Sequence, residues 1–236
     1  MTSERRLPAH IAVIMDGNGR WAEKHGLPRT FGHRKGVKAA ETMVESCLEA
    51  GISYLTLFCF SSENWNRPEE EVSALMDLLR SYFKEDVQKL QEKHVKLRFS
   101  GRFDRLPEDI RKKMAQIGSV EISQPKLTLV MALSYGGREE IVDAARRLAR
   151  RVANNDLSIE QINEAEFSRS LYTPDVPDPD LLIRSGGEQR ISNFLLWQGA
   201  YTEIVFSKKL WPDFSKEDFQ SALDEYALRH RRFGRV

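Results

Sequence analysis

Thirteen residues near the start of the chain, from His10 to Ala22 (HIAVIMDGNGRWA), carry an apolar run into the lone carboxylate Asp16. Gly17, Asn18, Gly19, Arg20 and Trp21 follow at once. Asp-Gly and Asn-Gly are strong turn formers, so a plain turn accounts for the first part of this stretch. It leaves Arg20 and Trp21 unexplained. Glycines let a backbone approach a phosphate closely, and successive N–H groups opening a helix form an anion nest. A single carboxylate beside such a nest suits Mg²⁺, which shares its shell between one or two carboxylates, water and substrate phosphates. The stretch therefore points to a metal-diphosphate site.

Three further stretches have the same chemistry. GLPRTFGHRKGVK adds Arg29, His33, Arg34, Lys35 and Lys38 without one acid. A solvated basic helix start is the plain reading, yet helix N-termini attract acids, so the cluster runs against the dipole unless an anion is expected. FSSENWNRPEEE supplies Ser61, Ser62, Asn64, Trp65 and Arg67. Capping by Ser62 or Asn66 explains part of it, but not Trp65 together with Arg67. IRSGGEQRISNFLLWQGAYTEIVF places Arg184, Arg190 and Ser192 around a Gly-Gly turn, with Glu203 further on as a surface acid or a second metal ligand. Arginine forks bind phosphate oxygens bidentately, and two close together call for an anion between them. Arg20, Arg29, His33, Arg67, Arg184 and Arg190 against few carboxylates suit more than one diphosphate in one cleft.

Several classes are excluded by the same residues. No G-x-x-x-x-G-K-[ST], no helix-opening G-x-G-x-x-G and no G-x-S-x-G is present. A strand-end aspartyl phosphatase of D-x-D-x-T type would need Asp and Thr where Asn18 and Arg20 stand. A non-catalytic partner of an enzyme would tolerate loss of Asp16 or the arginines, and all remain. The formal net charge of +1 argues against a surface coated for nucleic acid. Cys47 and Cys59 are the two cysteines and have no C-x-x-C spacing, which fits buried thiols in a reducing cytoplasm. The N-terminus lacks the apolar core of a signal peptide, and no run approaches a membrane span, so lipid would be handled from a cleft.

The elements that must position these residues alternate along the chain. Apolar runs at Ile11–Asp16, Ile52–Ser61, Val95–Gly101, Leu127–Ser134, Asp180–Ser185 and Thr202–Ser207 lack clean alternation, which suits strands buried on both faces. Helical periodicity predicts helices over 33–51, ending at Gly51, and over 68–94, with others in 136–152, 158–172 and 215–234. The expected fold is α/β: one domain over 1–236 around a largely parallel six-stranded sheet flanked by helices. The Pro-rich segment Tyr172–Asp180 reads as a rigid loop within it. Ligands of such sheets collect beyond the C-terminal strand ends. Asp16, SSENWNRP, SYGGRE and RSGGEQRISN all fall at predicted strand ends and should converge on one cleft.

Five motifs in order, HIAVIMDGNGRWA, RTFGHRKG, FSSENWNRP, SYGGREEI and DLLIRSGGEQRISNFLLWQGAYTEIVF, closely resemble the cis-prenyltransferases, in particular the bacterial undecaprenyl diphosphate synthase group. The resemblance covers nearly the whole chain, which also lacks the D-D-x-x-D motifs of trans-prenyltransferases. It implies sequential cis-condensation of isopentenyl diphosphate onto farnesyl diphosphate, giving a long polyprenyl diphosphate, undecaprenyl diphosphate by subgroup, for cell-wall synthesis. Gly17, Asn18, Gly19 and Arg20 would seat the allylic diphosphate, helped by Arg29 and His33. Asp16 would hold Mg²⁺, with Glu203 as a further ligand. Arg184, Arg190, Ile191 and Ser192 would hold isopentenyl diphosphate. Trp21, Ser61, Ser62, Glu63, Trp65 and Arg67 would line the substrate region, and Asn64 is the family's candidate proton acceptor, although a neutral amide is a poor base. The resemblance also implies a cytoplasmic homodimer, peripheral at the inner face of the membrane for product release, and an Arg231–Gly234 element reaching a neighbouring site. The growing chain requires a hydrophobic tunnel beside the sheet, expected between Ile52–Phe60, Val72–Val87 and Leu127–Leu133, each buried CH₂ contributing ~0.8 kcal/mol. Cys59, Ala74 and Leu127 are candidates for setting its depth.

Overall fold

In the computed structural model, which describes residues 7–85 and 87–229, each of the six apolar runs is a strand. They are β1 (His10–Ile14), β2 (Tyr54–Ser61), β3 (Val95–Ser100), β4 (Leu127–Tyr135), β5 (Leu181–Arg184) and β6 (Glu203–Phe206). One sheet contains them in the order β3-β4-β2-β1-β5-β6, and every neighbouring pair is parallel. The absence of apolar alternation now has its cause. Ile11 and Val13 of β1 enter one core while Ala12 and Ile14 enter a second core on the opposite face. Both faces of the strand are dry, so both need apolar side chains.

Eight α-helices surround the sheet among the described residues: α1 (Asn18–Lys24), α2 (Arg29–Ala50), α3 (Glu69–Glu85), α4 (Val87–Glu92), α5 (Glu108–Gly118), α6 (Gly137–Ala153), α7 (Glu164–Arg169) and α8 (Lys216–Leu228). The larger core takes Met43 and Cys47 from α2, Met76, Leu79 and Phe83 from α3, Ile110 and Met114 from α5, and Phe219 and Leu223 from α8. Phe194 and Leu195, from the segment after β5, close the opposite core against Tyr135. Glu140 of α6 is buried there, accepting hydrogen bonds from the Tyr135 hydroxyl (2.5 Å), the Tyr172 N–H (2.9 Å) and the Gln198 amide (3.1 Å).

Two predicted helices need correction, those over 158–172 and 215–234. Within 68–94, expected as one helix, helix is described over Glu69–Glu85 and Val87–Glu92. The helix expected over 158–172 is a 3₁₀ turn at Ile159–Gln161 followed by short α7, because the Asn163 side chain accepts from the Glu166 N–H and caps a new start. The expected helix over 215–234 is described as far as Leu228, with Ser215 capping it at Asp218 N–H. Two helices lie outside the predicted ranges. α1 is the helix that the nest at Gly17–Arg20 opens, its extent hidden by the Gly and Asn of its first turn. In α5, Pro107, two acids in the first turn and buried Ile110, Met114 and Ile117 are a legible helix signal.

The order of strands makes β1 the switch point. Its successor β2 lies on one side, whereas β5 lies on the other. The crevice at its C-terminal end is where this architecture places ligands.

Candidate active site

Asp16 stands two residues beyond β1. Its backbone is pinned on both sides: Asp16 N–H donates to Ser185 Oγ at 3.0 Å, and Asp16 O accepts from Trp211 N–H at 2.9 Å. Gly17 then turns the chain with φ +107°, and a Cβ there would meet Leu210 Cδ2 at 2.8 Å. That left-handed, crowded position aims the Asp16 side chain at the crevice. Its Oδ2 accepts from Arg184 Nη2 at 2.9 Å and its Oδ1 pairs with Arg20 Nη2 at 3.0 Å. Burial pushes the carboxyl pKa up, but the hydrogen bonds from Arg184 and Arg20 outweigh it and hold the group below the usual carboxylate value. Asp16 is ionised.

A second carboxylate gathers the next three cations. Glu71, on the first turns of α3, accepts from Arg67 Nη1 at 2.8 Å and lies 3.4 Å from His33 Nε2 and 3.5 Å from Arg29 Nε. Arg29 and His33 are on α2, which has no acid in its first turn. α2 approaches α1 so closely that a Cβ on Gly32 would meet Asn18 O at 1.9 Å. Burial, then Arg67, lowers the His33 pKa against the opposing pull of Glu71, so the ring is neutral at pH 7. Glu71 is one of three acids in the first turn of α3, and its spacing of four from Arg67 was the available sequence signal.

Arg184, the last residue of β5, is only 4% exposed. Its Nη1 donates to Arg190 O (2.5 Å) and Ser192 Oγ (2.8 Å), while its buried Nε has no hydrogen-bond partner. Arg190 is largely exposed and pairs with Glu188 at 2.5 Å. Ser192 and Asn193 both adopt left-handed backbone (φ 48° and 63°). Asn193, which the sequence reading passed over, joins three strand ends. Its carbonyl accepts from Gly137 N–H (2.7 Å), its Oδ1 from Arg138 N–H (2.9 Å), and its Nδ2 donates to Glu63 Oε1 (2.9 Å). Asn193 thus ties SSENW, SYGGRE and RISN together, but of the four expected strand ends SYGGRE contributes no residue to the lining of the crevice.

The crevice so formed brings together Asp16, Gly17, Asn18, Gly19 and Arg20 from the β1 end, Arg29 and His33 from α2, Ser61, Asn64 and Arg67 from the β2 end, and Arg184, Arg190 and Ser192 from the β5 end. Five guanidinium groups face three carboxylates, Asp16, Glu71 and Glu188. With His33 neutral, positive charge is in excess.

Other expected residues stand behind this ring. Trp21 Nε1 donates to Asp213 Oδ1 at 2.7 Å and its ring stacks on His25. Trp65 Nε1 donates to Ser134 Oγ at 2.9 Å, with its ring against Phe60 and under Arg105. Glu63 is held by Asn193, Ser62 Oγ lies 2.6 Å from where a Cβ on Gly136 would stand, and Ile191 packs on the second core. Asn64 Oδ1 accepts from Ser61 N–H at 3.1 Å, a cap of the 3₁₀ turn Ser62–Asn66 that commits one lone pair of the amide oxygen. Glu203 is not brought to Asp16. It opens β6 opposite Leu181, which pairs with Ile11, five residues before Asp16 and about 16 Å away along the strand. Its carboxylate accepts from Arg229 Nη1 at 2.9 Å, so within one chain the two acids share no metal. The Arg231–Gly234 element lies outside the described residues.

Beyond the crevice lies an apolar cavity walled by Leu57, Cys59 and Phe60 of β2, Leu75, Met76, Leu79 and Tyr82 of α3, and Leu129, Met131 and Leu133 of β4. The three stretches expected to wall a tunnel all contribute. α2 adds an unanticipated fourth wall through Gly36, Val37 and Ala40. Ala74 instead faces a groove outside α3. Leu127, at the start of β4, continues the Leu129–Leu133 face into the larger core but does not line the cavity. Met15, Asn18, His33, Cys59 and Leu75 line both spaces.

Among the described residues no group of three or more His, Cys, Asp or Glu could hold a metal. A single ionised carboxylate beside helix-opening amides and arginines fits Mg²⁺ delivered with a phosphate, whose oxygens and waters complete the shell.

The fold and site define a parallel α/β protein with an arginine-lined crevice at its sheet switch point and an apolar cavity beside it. A family model described as "Putative undecaprenyl diphosphate synthase" matches residues 14–234. An isoprenyl transferase of Rhizobium meliloti is 51% identical over 97% of this chain and 92% of its own length. Lavandulyl diphosphate synthase from Lavandula x intermedia, solved in complex with dimethylallyl diphosphate, superposes with a TM-score of 0.93 at 37% identity, covering 97% of this chain and 98% of that one. A probable undecaprenyl diphosphate synthase from Campylobacter jejuni gives 0.80 at 36% identity, with 98% and 99% covered. The chain belongs to the undecaprenyl diphosphate synthase family of isoprenyl transferases; it is a prenyltransferase.

Proposed function

We propose that this prenyltransferase condenses isopentenyl diphosphate repeatedly, with cis stereochemistry, onto an allylic diphosphate such as farnesyl diphosphate, making a long polyprenyl diphosphate. Undecaprenyl diphosphate, the lipid carrier precursor of cell-wall synthesis, is the product its subgroup favours. The observation that carries this reading is that the arginine-lined crevice and the apolar cavity adjoin, with Met15, Asn18, His33, Cys59 and Leu75 lining both. A diphosphate and a long hydrocarbon can be held at once.

The allylic diphosphate sits on the backbone N–H groups that open α1, with Arg20, Arg29 and His33 around it. Isopentenyl diphosphate is held by Arg184, Arg190 and Ser192. In the free protein Asp16 and Glu188 occupy Arg20, Arg184 and Arg190, so these guanidinium groups are already aimed when phosphates arrive. Asp16 would hold Mg²⁺ together with the substrate phosphates, and the ion would supply charge neutralisation for the departing diphosphate. The preplaced arginines stabilise the negative charge that grows there as the allylic C–O bond breaks. Positioning of the isopentenyl double bond against the allylic carbon supplies the entropic part of the rate and the geometry of the new C–C bond. With its Oδ1 capped, Asn64 offers Nδ2 to orient a phosphate oxygen, and that oxygen takes the proton lost from the isopentenyl unit. The protein works as a homodimer in the cytoplasm, peripheral to the inner membrane face; no helix among the described residues is long and apolar enough to cross a membrane.

Radiolabelled isopentenyl diphosphate with farnesyl diphosphate and Mg²⁺, followed by extraction and sizing, tests this reading. Long polyprenyl diphosphates are expected, abolished by EDTA and reduced by orders of magnitude in Asp16→Ala. Phosphate release from monoesters instead, or folded protein with no incorporation, overturns it.

A further inference from the structure

Only part of the basic stretch around α2 faces the crevice. Phe31, Arg34, Lys35 and Lys38 recur at i, i+3, i+4 and i+7, one stripe along the outer side of the helix. All four are exposed, Phe31 to 47%, and Leu27, exposed to 38%, precedes them. The Arg34 guanidinium lies 5.7 Å from the Phe31 ring centroid. Among the described residues, Arg34, Lys35 and Lys38 pair with no carboxylate. Asp77, across the groove on α3, is taken by Arg80 at 2.8 Å, and Glu41 lies one turn beyond Lys38. The stripe borders a groove between α2 and α3 lined by Thr30, Arg34, Ala74 and Leu78. His33, Leu75 and Leu78 line both this groove and the apolar cavity, so one layer of side chains separates the cavity from the outside.

We propose that this stripe docks the protein on an anionic bilayer surface, bringing the thin α2–α3 wall of the cavity to the lipid. Unpaired cations attract anionic headgroups, and Phe31 and Leu27 can enter the headgroup–acyl boundary. Aliphatic Leu27 offers nothing to a polynucleotide backbone. With an overall net charge of only +1, the attraction must be local to such a patch. The inference rests on the proposed function in one respect: an apolar product gives the cavity wall a reason to face lipid.

The test sediments the full chain with vesicles of phosphatidylcholine alone or mixed with phosphatidylglycerol, across ionic strength. Binding is expected to the anionic vesicles and to weaken with salt. At about fivefold per cation, Arg34→Gln/Lys35→Gln/Lys38→Gln should lower the partition coefficient about 100-fold. Phe31→Ser should weaken the binding that survives high salt. Arg111→Gln/Lys112→Gln/Lys113→Gln, an equal charge loss on α5, should change it little. First-step condensation of soluble substrates should stay at the wild-type rate in the α2 variant, which also certifies its fold. Equal loss in the α5 variant, unchanged binding in the α2 variant, or no binding to anionic lipid overturns the proposal, the last leaving the stripe to a protein partner. Vesicle binding without chain elongation would instead overturn the enzymatic reading and spare the docking.

Discussion

His33 is a neutral ring among arginines, and that condition can be tested by pH. Its pKa lies below 6.5 because burial and Arg67 outweigh Glu71. Protonation adds a cation beside the allylic diphosphate, and a bound polyanion favours the protonated ring. Affinity for the allylic diphosphate should therefore tighten as pH falls below 6.5, over and above the ligand's own titration. Comparing wild type with His33→Gln isolates the effect: the ratio of their dissociation constants should widen toward acid, and a ratio flat with pH refutes it. At this scale the chemistry of most site residues was readable from type and spacing. Glu71 and Asn193 were not, because an acid near a helix start and an Asn in a loop acquire their roles only from partners far along the chain.

β1 depends on an element at its other end. His10 is 2% exposed; its Nδ1–H donates to Pro177 O at 2.6 Å and its Nε2 accepts from the Thr56 hydroxyl at 2.8 Å. The Asp180 carboxylate accepts from Ala9 and His10 N–H, so the predicted rigid loop is a clamp on the strand that carries Asp16. Burial lowers the His10 pKa from 6.5 to about 4, outweighing Pro177 and Asp180. The unfolded chain then binds the proton more readily than the folded one, so stability is complete above pH 6.5 and falls as pH drops toward 4. A shift of this size corresponds to about 3 kcal/mol. Urea unfolding should show that loss in wild type, whereas His10→Asn should be less stable at pH 7 and lack this step; equal pH slopes for the two would refute the assignment.

The cavity belongs to the whole molecule, since α2, α3, β2 and β4 each give one wall. Depth is ordered by β4: Leu133 lies nearest the crevice, then Met131, then Leu129. Product length should follow that order. Leu133→Trp should stop the chain earliest and Leu129→Trp latest, at a stability cost of about 1–3 kcal/mol each; chromatography of extracted products reads this, and lengths indifferent to depth would contradict it. By itself the sequence determined the six strands, the α/β class and the four polar strand ends. Strand burial, turn residues and arginine clusters are local in sequence, and any parallel sheet sends them to one edge. Only the tertiary structure decided what depends on register and packing. It split the basic α2 stretch into a face toward phosphate and a face toward solvent, and it closed α2 onto the cavity. It gave Trp21 and Trp65 hydrogen-bond partners in Asp213 and Ser134, and it sent Glu203 to the far end of the sheet. The reason is geometric: a helix rotates successive residues to different sides, and a parallel strand separates its start from its end by its whole length, and neither consequence is visible until the partners are in place.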